Sequence, residues 1–462
     1  MDSRLPSDPV LPQLPQALDG STMGPVFASL LQGPTLLACD VDRVKYRPQR
    51  NCSVTYRLRI AGRSGQTIEQ LVAARFCSGG DSLRRYRQAL ARGALRSAAG
   101  PSVSHLAGLD MVACWLPNDA KLTAPALLAD HGAMRRDVLP EVVAALTAGH
   151  GRLVDHRTTL VQIVPELRVC ARVDLQLRVR PDAPVSTATV YAKADLERSG
   201  TATQAAMQAL YDSPARAQGR LCMAQPLRWQ ADTGLHWQAA VAGRALQDSG
   251  AEVAPHIAAR VGGQLAVLHA TPVHGLEALS VATLAQQVQD SAALLARVEP
   301  AWRPQLQAVA AWLQGGLPAL AGQPEATLHG DLHLNNILVD VPRFSFIDFD
   351  SVTAGPAVIE LGGWVADMLH RSVLQGADPR CAAPACRAFF AAYTQAAGQP
   401  SPLGPLLAWS TVHALLCKRA YRGVANLKPG RFAAVPALLT LAEAIARRGA
   451  LEGVLGPMPE AA

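Results

Sequence analysis

The sequence predicts an α+β fold, strand-rich in its N-terminal half and helical in its C-terminal half. Three observations carry that expectation. Alternating or β-branched runs occupy residues 42–243, apolar positions three or four apart dominate from about residue 250, and one hairpin pattern interrupts the helices at residues 335–350. With 462 residues, 49% of them hydrophobic, the chain can pack two or three domains, which excludes disorder for most of it.

Taken in order, residues 1–37 are rich in Pro and Gly and are expected as a loose lead-in. DRVKYRP, SVTYRLRI and EQLVAARF then read as three strands, followed by a helix from SLRRYRQALARGALRS. TTLVQIV, CARVDLQLRV and TATVYAKAD repeat that order, and TATQAAMQALYDSPAR supplies a second helix. An offset of 118 sets Arg50 on Arg168, Cys52 on Cys170 and Arg75 on Lys193, with spacing kept across 26 residues. We read a degenerate duplication of a β-β-β-α unit, each copy ending in an apolar strand, MVACWLP or LHWQAAVAG. Residues 240–250 form the natural hinge before the helices.

Charge is unevenly placed. Residues 40–100 carry 13 basic and four acidic side chains, so the formal +7 of the whole chain resides in the first copy and the rest is near neutral. Only five basic residues are lysines, and Lys193 lies inside an apolar strand, where a lysine needs a reason. Nine cysteines without a CxxC pair are expected as buried, reduced thiols, and the acidic, proline-punctuated N-terminus lacks the pattern of an export signal. No uncharged stretch escapes Pro and Gly for long enough to span a membrane, so a cytoplasmic protein is expected.

The chemistry concentrates in LHGDLHLNNILVDVPRFSFIDFDSVTAGP, residues 328–356. A hairpin between Asn336 and Asp348 brings an amide oxygen and a carboxylate to one point, the hard-oxygen donors that Mg²⁺ takes alongside phosphate oxygens. Asp331 remains as a separate carboxylate able to accept or orient the proton of an attacking hydroxyl.

HGDLHLNNIL followed by FIDFD resembles the catalytic loop and metal strand of the aminoglycoside phosphotransferase and choline kinase group, HGDxHxxNxL and then IDxx. The resemblance implies a protein-kinase-like two-lobe fold, with Asp331 as catalytic base, Asn336 and Asp348 holding Mg²⁺, and His329 and His333 bracing the loop. Asp350 either assists a metal or caps the next turn. GPAVIELGGW resembles the group's GPxxxDLA segment, with Glu360 where Asp is usual and still able to bind loop backbone. The implied organisation is a lead-in at 1–37, a basic repeat of the N-lobe unit at 38–148, an ATP-binding N-lobe at 149–245 and a helical catalytic C-lobe at 246–462.

Such a fold needs a cation on the third strand for ATP phosphates, and Lys193 is the candidate, with Arg75 in the matching place of the first copy. Two features depart from the group. Gln204 falls where the helix carboxylate partner of the lysine is due, with Glu197 and Asp212 less well placed. The glycine-rich loop is replaced by PELRVCA, so phosphate contact would come from backbone amides and Arg168. Adenine would meet backbone near 238–241, and Trp364, Asp367, His370, Trp409, His413 and Tyr421 are polar or aromatic positions near the expected acceptor pocket.

The leading expectation is an ATP- and Mg²⁺-dependent phosphotransferase acting on a hydroxyl of a small molecule. A catalytically silent kinase-like binding or regulatory protein is the alternative, favoured by Gln204 and the missing loop glycines. An anionic ligand at the basic first copy is a further expectation, whereas nucleic acid is disfavoured by the lack of aromatic-interleaved or helix-turn-helix motifs.

Overall fold

The computed structural model describes residues 5–62, 65–93, 95–180, 182–197, 199–249, 253–398, 404–428 and 430–456. Two five-stranded antiparallel sheets follow one another in the N-terminal half. The first runs β1-β2-β3-β5-β4, from β1 (Thr35–Arg47), β2 (Asn51–Ala61), β3 (Thr67–Phe76), β4 (Val103–Leu106) and β5 (Met111–Trp115). The second runs β6-β7-β8-β10-β9, from β6 (Arg152–Val164), β7 (Arg168–Arg178), β8 (Ser186–Asp195), β9 (Pro226–Gln230) and β10 (Leu235–Ala239). A helix follows the third strand in each, Asp81–Ala91 and Gly200–Tyr211.

Strand alternation gives each sheet one apolar face that needs a cover. In the first, Cys52, Val54, Tyr56, Leu58 and Ile60 are buried beneath two short helices, Leu14–Ala17 and Gly20–Ala28. Phe27 meets Tyr56 and Trp115 edge-on, at ring separations of 4.9 and 5.9 Å. Residues 11–28 are therefore part of the core rather than a loose lead-in, because without them this face would meet water. In the second sheet, Val169, Ala171, Val173, Leu175 and Leu177 are covered in the same way by Leu128, Met134, Val138, Leu139 and Val142 from residues 124–146.

The two sheets also correct the alignment drawn between their sequences. Arg75 lies opposite Ser53 and Lys193 opposite Cys170, so Arg75 and Lys193 do occupy matching places. The turns between the first two strands match at an offset of 117, with Gln49 (φ 58°) and Glu166 (φ 62°) in the same left-handed conformation. Cys52 thus corresponds to Val169 rather than Cys170, and Arg50 to Leu167 rather than Arg168. The cause is one additional residue between the second and third strands of the second sheet: 22 positions separate Ser53 from Arg75 and 23 separate Cys170 from Lys193.

The helical half packs Pro255–His269 against Ala383–Ala397 and Ala357–Gln375 against Pro405–Ala414. A small sheet joins β11 (Arg244–Ala245) to the hairpin of β13 (Ile337–Asp340) and β14 (Arg343–Phe346), while β12 (Glu325–Leu328) pairs with β15 (Thr353–Pro356). Between the helices Pro405–Ala414 and Tyr421–Ala425 lies a π-helical stretch, Leu415–Ala420, which carries Lys418 and Arg419. All nine cysteines are free, and among the described residues no helix is long and apolar enough to cross a membrane.

Candidate active site

The β13–β14 hairpin brings the sequence motifs together. Ile347 donates its amide to the Asn336 carbonyl at 3.0 Å, which sets Asp348 immediately beyond. Asn336 is buried, and its amide nitrogen donates to the Asp331 carbonyl at 3.0 Å, so its oxygen is the end available to a metal. Asp348 itself adopts φ 71°, a left-handed conformation costly for a side chain with a Cβ and of the kind retained at functional sites. Gly330, at φ +83°, lets the preceding loop run against the Ser351 carbonyl, which a Cβ would strike at 2.0 Å.

Lys193 reaches this hairpin from β8. Its ammonium donates to Asp348 at 2.5 Å and lies 3.3 Å from Asp350. Burial acts against the lysine's charge, but the two carboxylates outweigh it and raise its pKa above the ordinary value. Asp348 is shifted well below the usual carboxylate range, burial being overcome by Lys193, whereas burial pushes Asp350 up. The helix after β8 supplies no carboxylate partner: the Gln204 side-chain oxygen is buried without a hydrogen bond, and Asp212 accepts from Gln208. The lysine's partners thus come from the other half of the molecule.

The donor set Asn336, Asp348 and Asp350 consists of hard oxygens, and the ammonium of Lys193 stands against both carboxylates as a cation. The residues therefore fit Mg²⁺. Beside Lys193, the ring nitrogens of His236 and the side-chain oxygen of Gln238 are buried and unpartnered on the same sheet face, polar atoms that suit a nucleotide. His236 stays neutral at physiological pH, since burial and Lys193 hold its pKa at about 4. The Ala239 and Ala240 amides are already bonded to Gln225 and Thr189. Arg168 begins β7, with a buried, unpartnered Nε.

Asp331 lies across the loop. Arg422 donates to its Oδ1 at 2.9 Å, and Lys418 donates to the Gly330 carbonyl at 2.9 Å. Burial raises the pKa of Asp331, but Arg422, Lys418 and His333 outweigh it and bring the value to about 2. His329 Nε2 bonds the Ile347 carbonyl at 2.9 Å. His333 stands 3.8 Å from Asp331, and burial lowers its pKa, so at neutral pH it offers no ionic brace. Glu360 accepts the amides of His329 and Gly330 at 2.9 and 2.8 Å, and is itself held by His269 at 3.1 Å, whose other nitrogen meets Tyr393 at 2.8 Å.

Sequence reasoning missed His269, Tyr393, Lys418 and Arg422. His269 is the last residue of the helix Pro255–His269, and Lys418 is one of five lysines, so composition offered a signal for the latter. Trp364, Asp367, His370, Trp409 and His413 are buried in the helical core, with Asp367 paired to Arg419 at 3.1 Å.

Residues 187–402 match the model of the phosphotransferase enzyme family, which bears out over that segment the resemblance carried by the HGDLHLNNIL motif. The match holds Lys193, Asp331, Asn336, Asp348 and Glu360 and leaves out the first sheet, Arg168 and Lys418. No curated protein matches the chain. Among solved structures, a choline/ethanolamine kinase family protein from Mesorhizobium loti is 17% identical, covering 59% of this chain and 89% of its own, with a TM-score of 0.41. A choline kinase from Cryptosporidium parvum Iowa II is 10% identical, covering 65% and 92%, at 0.45. A thermostable mutant of aminoglycoside phosphotransferase APH(4)-Ia, in a ternary complex with ADP and hygromycin B, is 14% identical, covering 68% and 99%, at 0.43.

Proposed function

We propose, from the phosphotransferase-family segment at residues 187–402, that this chain moves the γ-phosphoryl group of ATP to a hydroxyl of a small molecule. One observation carries the reading: Lys193 meets Asp348 and Asp350 across the two halves, on the same loop system as Asn336 and Asp331. Lys193 and Arg168 hold nucleotide phosphates, and Asn336 and Asp348, with Asp350, hold Mg²⁺. When bound, Mg²⁺ neutralises phosphate charge and aligns the γ-phosphoryl group. Asp331 orients the acceptor hydroxyl and takes its proton as the oxygen bonds to the γ-phosphorus and the bond from that phosphorus to the β–γ bridging oxygen breaks, leaving ADP. A carboxylate held at about 2 is a weak base, so Asp331 acts mainly by orientation, accepting the proton late as the new bond forms. Glu360 and His269 fix the loop that carries it.

We also read the two sheets, each with its covering helices, as a duplicated unit of which only the second takes the nucleotide. The silent, binding-only reading draws on the buried unpartnered Gln204 and on Glu166, whose ties to the first sheet hold the turn that would cover phosphates. Wild type should give a Mg²⁺-dependent rise in melting temperature with ATP and slow ADP release, and Asp331→Asn should abolish release while keeping both the fold and the ATP shift. ATP shift without any ADP release across a metabolite panel would favour the silent reading, and no shift at all would overturn the kinase reading.

A further inference from the structure

A cavity of about 430 Å³ lies on the Arg75 face of the first sheet, and none of the residues around Asp331 and Asp348 lines it. Its origin is a difference in side-chain size. Where the second sheet presents Tyr191, His236 and Gln238 around Lys193, the first presents Ala73, Val112 and Cys114 around Arg75. The helix Asp81–Ala91 continues this small-residue wall with Ala89, and Pro165 and Glu166 of the β6–β7 turn close another side. Ala73, Ala89, Val112 and Cys114 are all buried and form an apolar floor. Gln88, Ala91, Arg92 and Lys121 are exposed, so the cavity opens to solvent between the end of that helix and Lys121. Packed interiors leave few voids larger than a water molecule, whereas concave apolar space with a few convergent polar groups is the make-up of a small-molecule site.

The charged groups here are cationic in excess. Arg75, Arg85, Arg92 and Lys121 line the cavity with Asp119 and Glu166, and Asp81 accepts from Arg85 at 2.7 Å, so four cations meet three carboxylates. Asp119 is taken up by the amides of Lys121, Leu122 and Glu166 at 2.8, 2.9 and 3.0 Å. Glu166 lies between Arg75 at 3.0 Å and Lys121 at 3.5 Å, so these two cations already bracket a carboxylate supplied by the chain itself. Arg75 spends Nη2 on Glu166 and Nε on Ser53 at 3.3 Å, two of the five N–H donors of a guanidinium. Its side chain is only 15% exposed, where water screens an added anion weakly. Arg92 donates to the Ala120 carbonyl, a neutral partner that leaves its charge unbalanced. One surplus positive charge matches a monoanion better than the dianion of a phosphate monoester.

We propose that this cavity binds a small organic monocarboxylate, its carboxylate held by Arg75 and Arg92 beside Lys121 and its compact apolar body resting on Ala73, Ala89, Val112 and Cys114. The first sheet is then a ligand-binding unit in its own right, built on the face that corresponds to the Lys193 face of the second. No residue of the cavity enters the proposed phosphoryl transfer, so the two readings stand or fall separately.

Calorimetric titration of the full chain tests this with benzoate, naphthoate and cyclohexanecarboxylate, their neutral amides, acetate and inorganic phosphate. At least one ring acid should bind about tenfold or more tightly than its own amide, acetate or phosphate. Ala89→Phe, which fills the cavity from the helix, should weaken that binding about tenfold or more. Arg92→Gln, at an exposed position where the fold is not at stake, should weaken it about threefold. Saturating Mg²⁺ and ADP should leave the affinity within about twofold. Equal binding of acid and amide, phosphate binding as tight as that of the ring acids, or no ring acid bound at about 10 mM overturns the proposal. Binding that survives both substitutions, or that ADP displaces, places the acid elsewhere and overturns it as well.

Discussion

The two sheets share strand order and layering, yet Lys193 of the second sheet looks on the loop that carries Asp348 and Asp331, while Arg75 of the first looks on Glu166. The faces that bear these two cations correspond: Lys193 lies with Tyr191, His236 and Gln238, and Arg75 with Ala73, Val112 and Cys114. In the first sheet that face is plugged by the β6–β7 hairpin. Ile163 is fully buried against Leu71, Ala73 and Leu116, and Glu166 at the turn pairs with Arg75 at 3.0 Å and Lys121 at 3.5 Å. What remains beside Arg75 is a cavity of about 430 Å³. The difference teaches that a strand-borne cation can meet the loop of Asp348 and Asp350 only where the rest of the chain leaves its face open to that loop. Arg75 instead serves to hold the second sheet on the first.

Replacing the two cations breaks or upholds this contrast most directly. Lys193→Ala should lower ATP affinity or turnover at least 100-fold, about 2.7 kcal/mol, because it removes a charge paired with two carboxylates. Arg75→Ala should leave ATP affinity within about twofold and cost about 3 kcal/mol of stability, as expected when one partner of a mostly buried ion pair is removed. Equal losses of ATP affinity would dissolve the distinction between the sheets. Ile163→Ala should destabilise the chain by about 3 kcal/mol in urea unfolding, the cost of a buried large-to-small change. A loss under about 1 kcal/mol would mean that the hairpin does not plug the first sheet.

Acid sharpens the comparison further. Asp331 has a pKa of about 2 against an ordinary 3.8, so its ionised form stabilises the fold above pH 4, and that contribution is lost as pH falls from about 4 to 2. Asp119 beside the first sheet's cavity has its pKa raised by burial, so its contribution is fully present below the ordinary carboxylate value and declines as pH rises through the folded one. Urea midpoints followed from pH 5 to 2 should therefore fall less steeply in Asp331→Asn, by up to about 2 kcal/mol, than in wild type. An unchanged slope would show that Arg422 and Lys418 do not hold this carboxylate ionised.

Much of the candidate site was legible in the chain because its parts are close in sequence: Asp331, Asn336 and Asp348 span 18 positions, and one hairpin suffices to join them. The match of Lys193 with Arg75 was legible too, since a rare lysine in an apolar strand stands out. The register of the first two strands was not, because a single inserted residue shifts one strand pairing without disturbing composition. His269, Tyr393, Lys418 and Arg422 lie 60 or more positions from the residues they hold, on helices whose apolar periodicity hides them.

By itself the sequence carried the family resemblance, through HGDLHLNNIL and FIDFD at fixed spacing, and it determined where the positive charge resides. Only the tertiary structure decided what that charge faces. Alternation puts Arg43, Lys45 and Arg75 on one side of a sheet, but whether that side meets solvent, a nucleotide or a neighbouring hairpin depends on how two sheets and a helical half dock. Docking is set by apolar surfaces such as Ile163 against Ala73, contacts between residues far apart in the chain that no local pattern encodes.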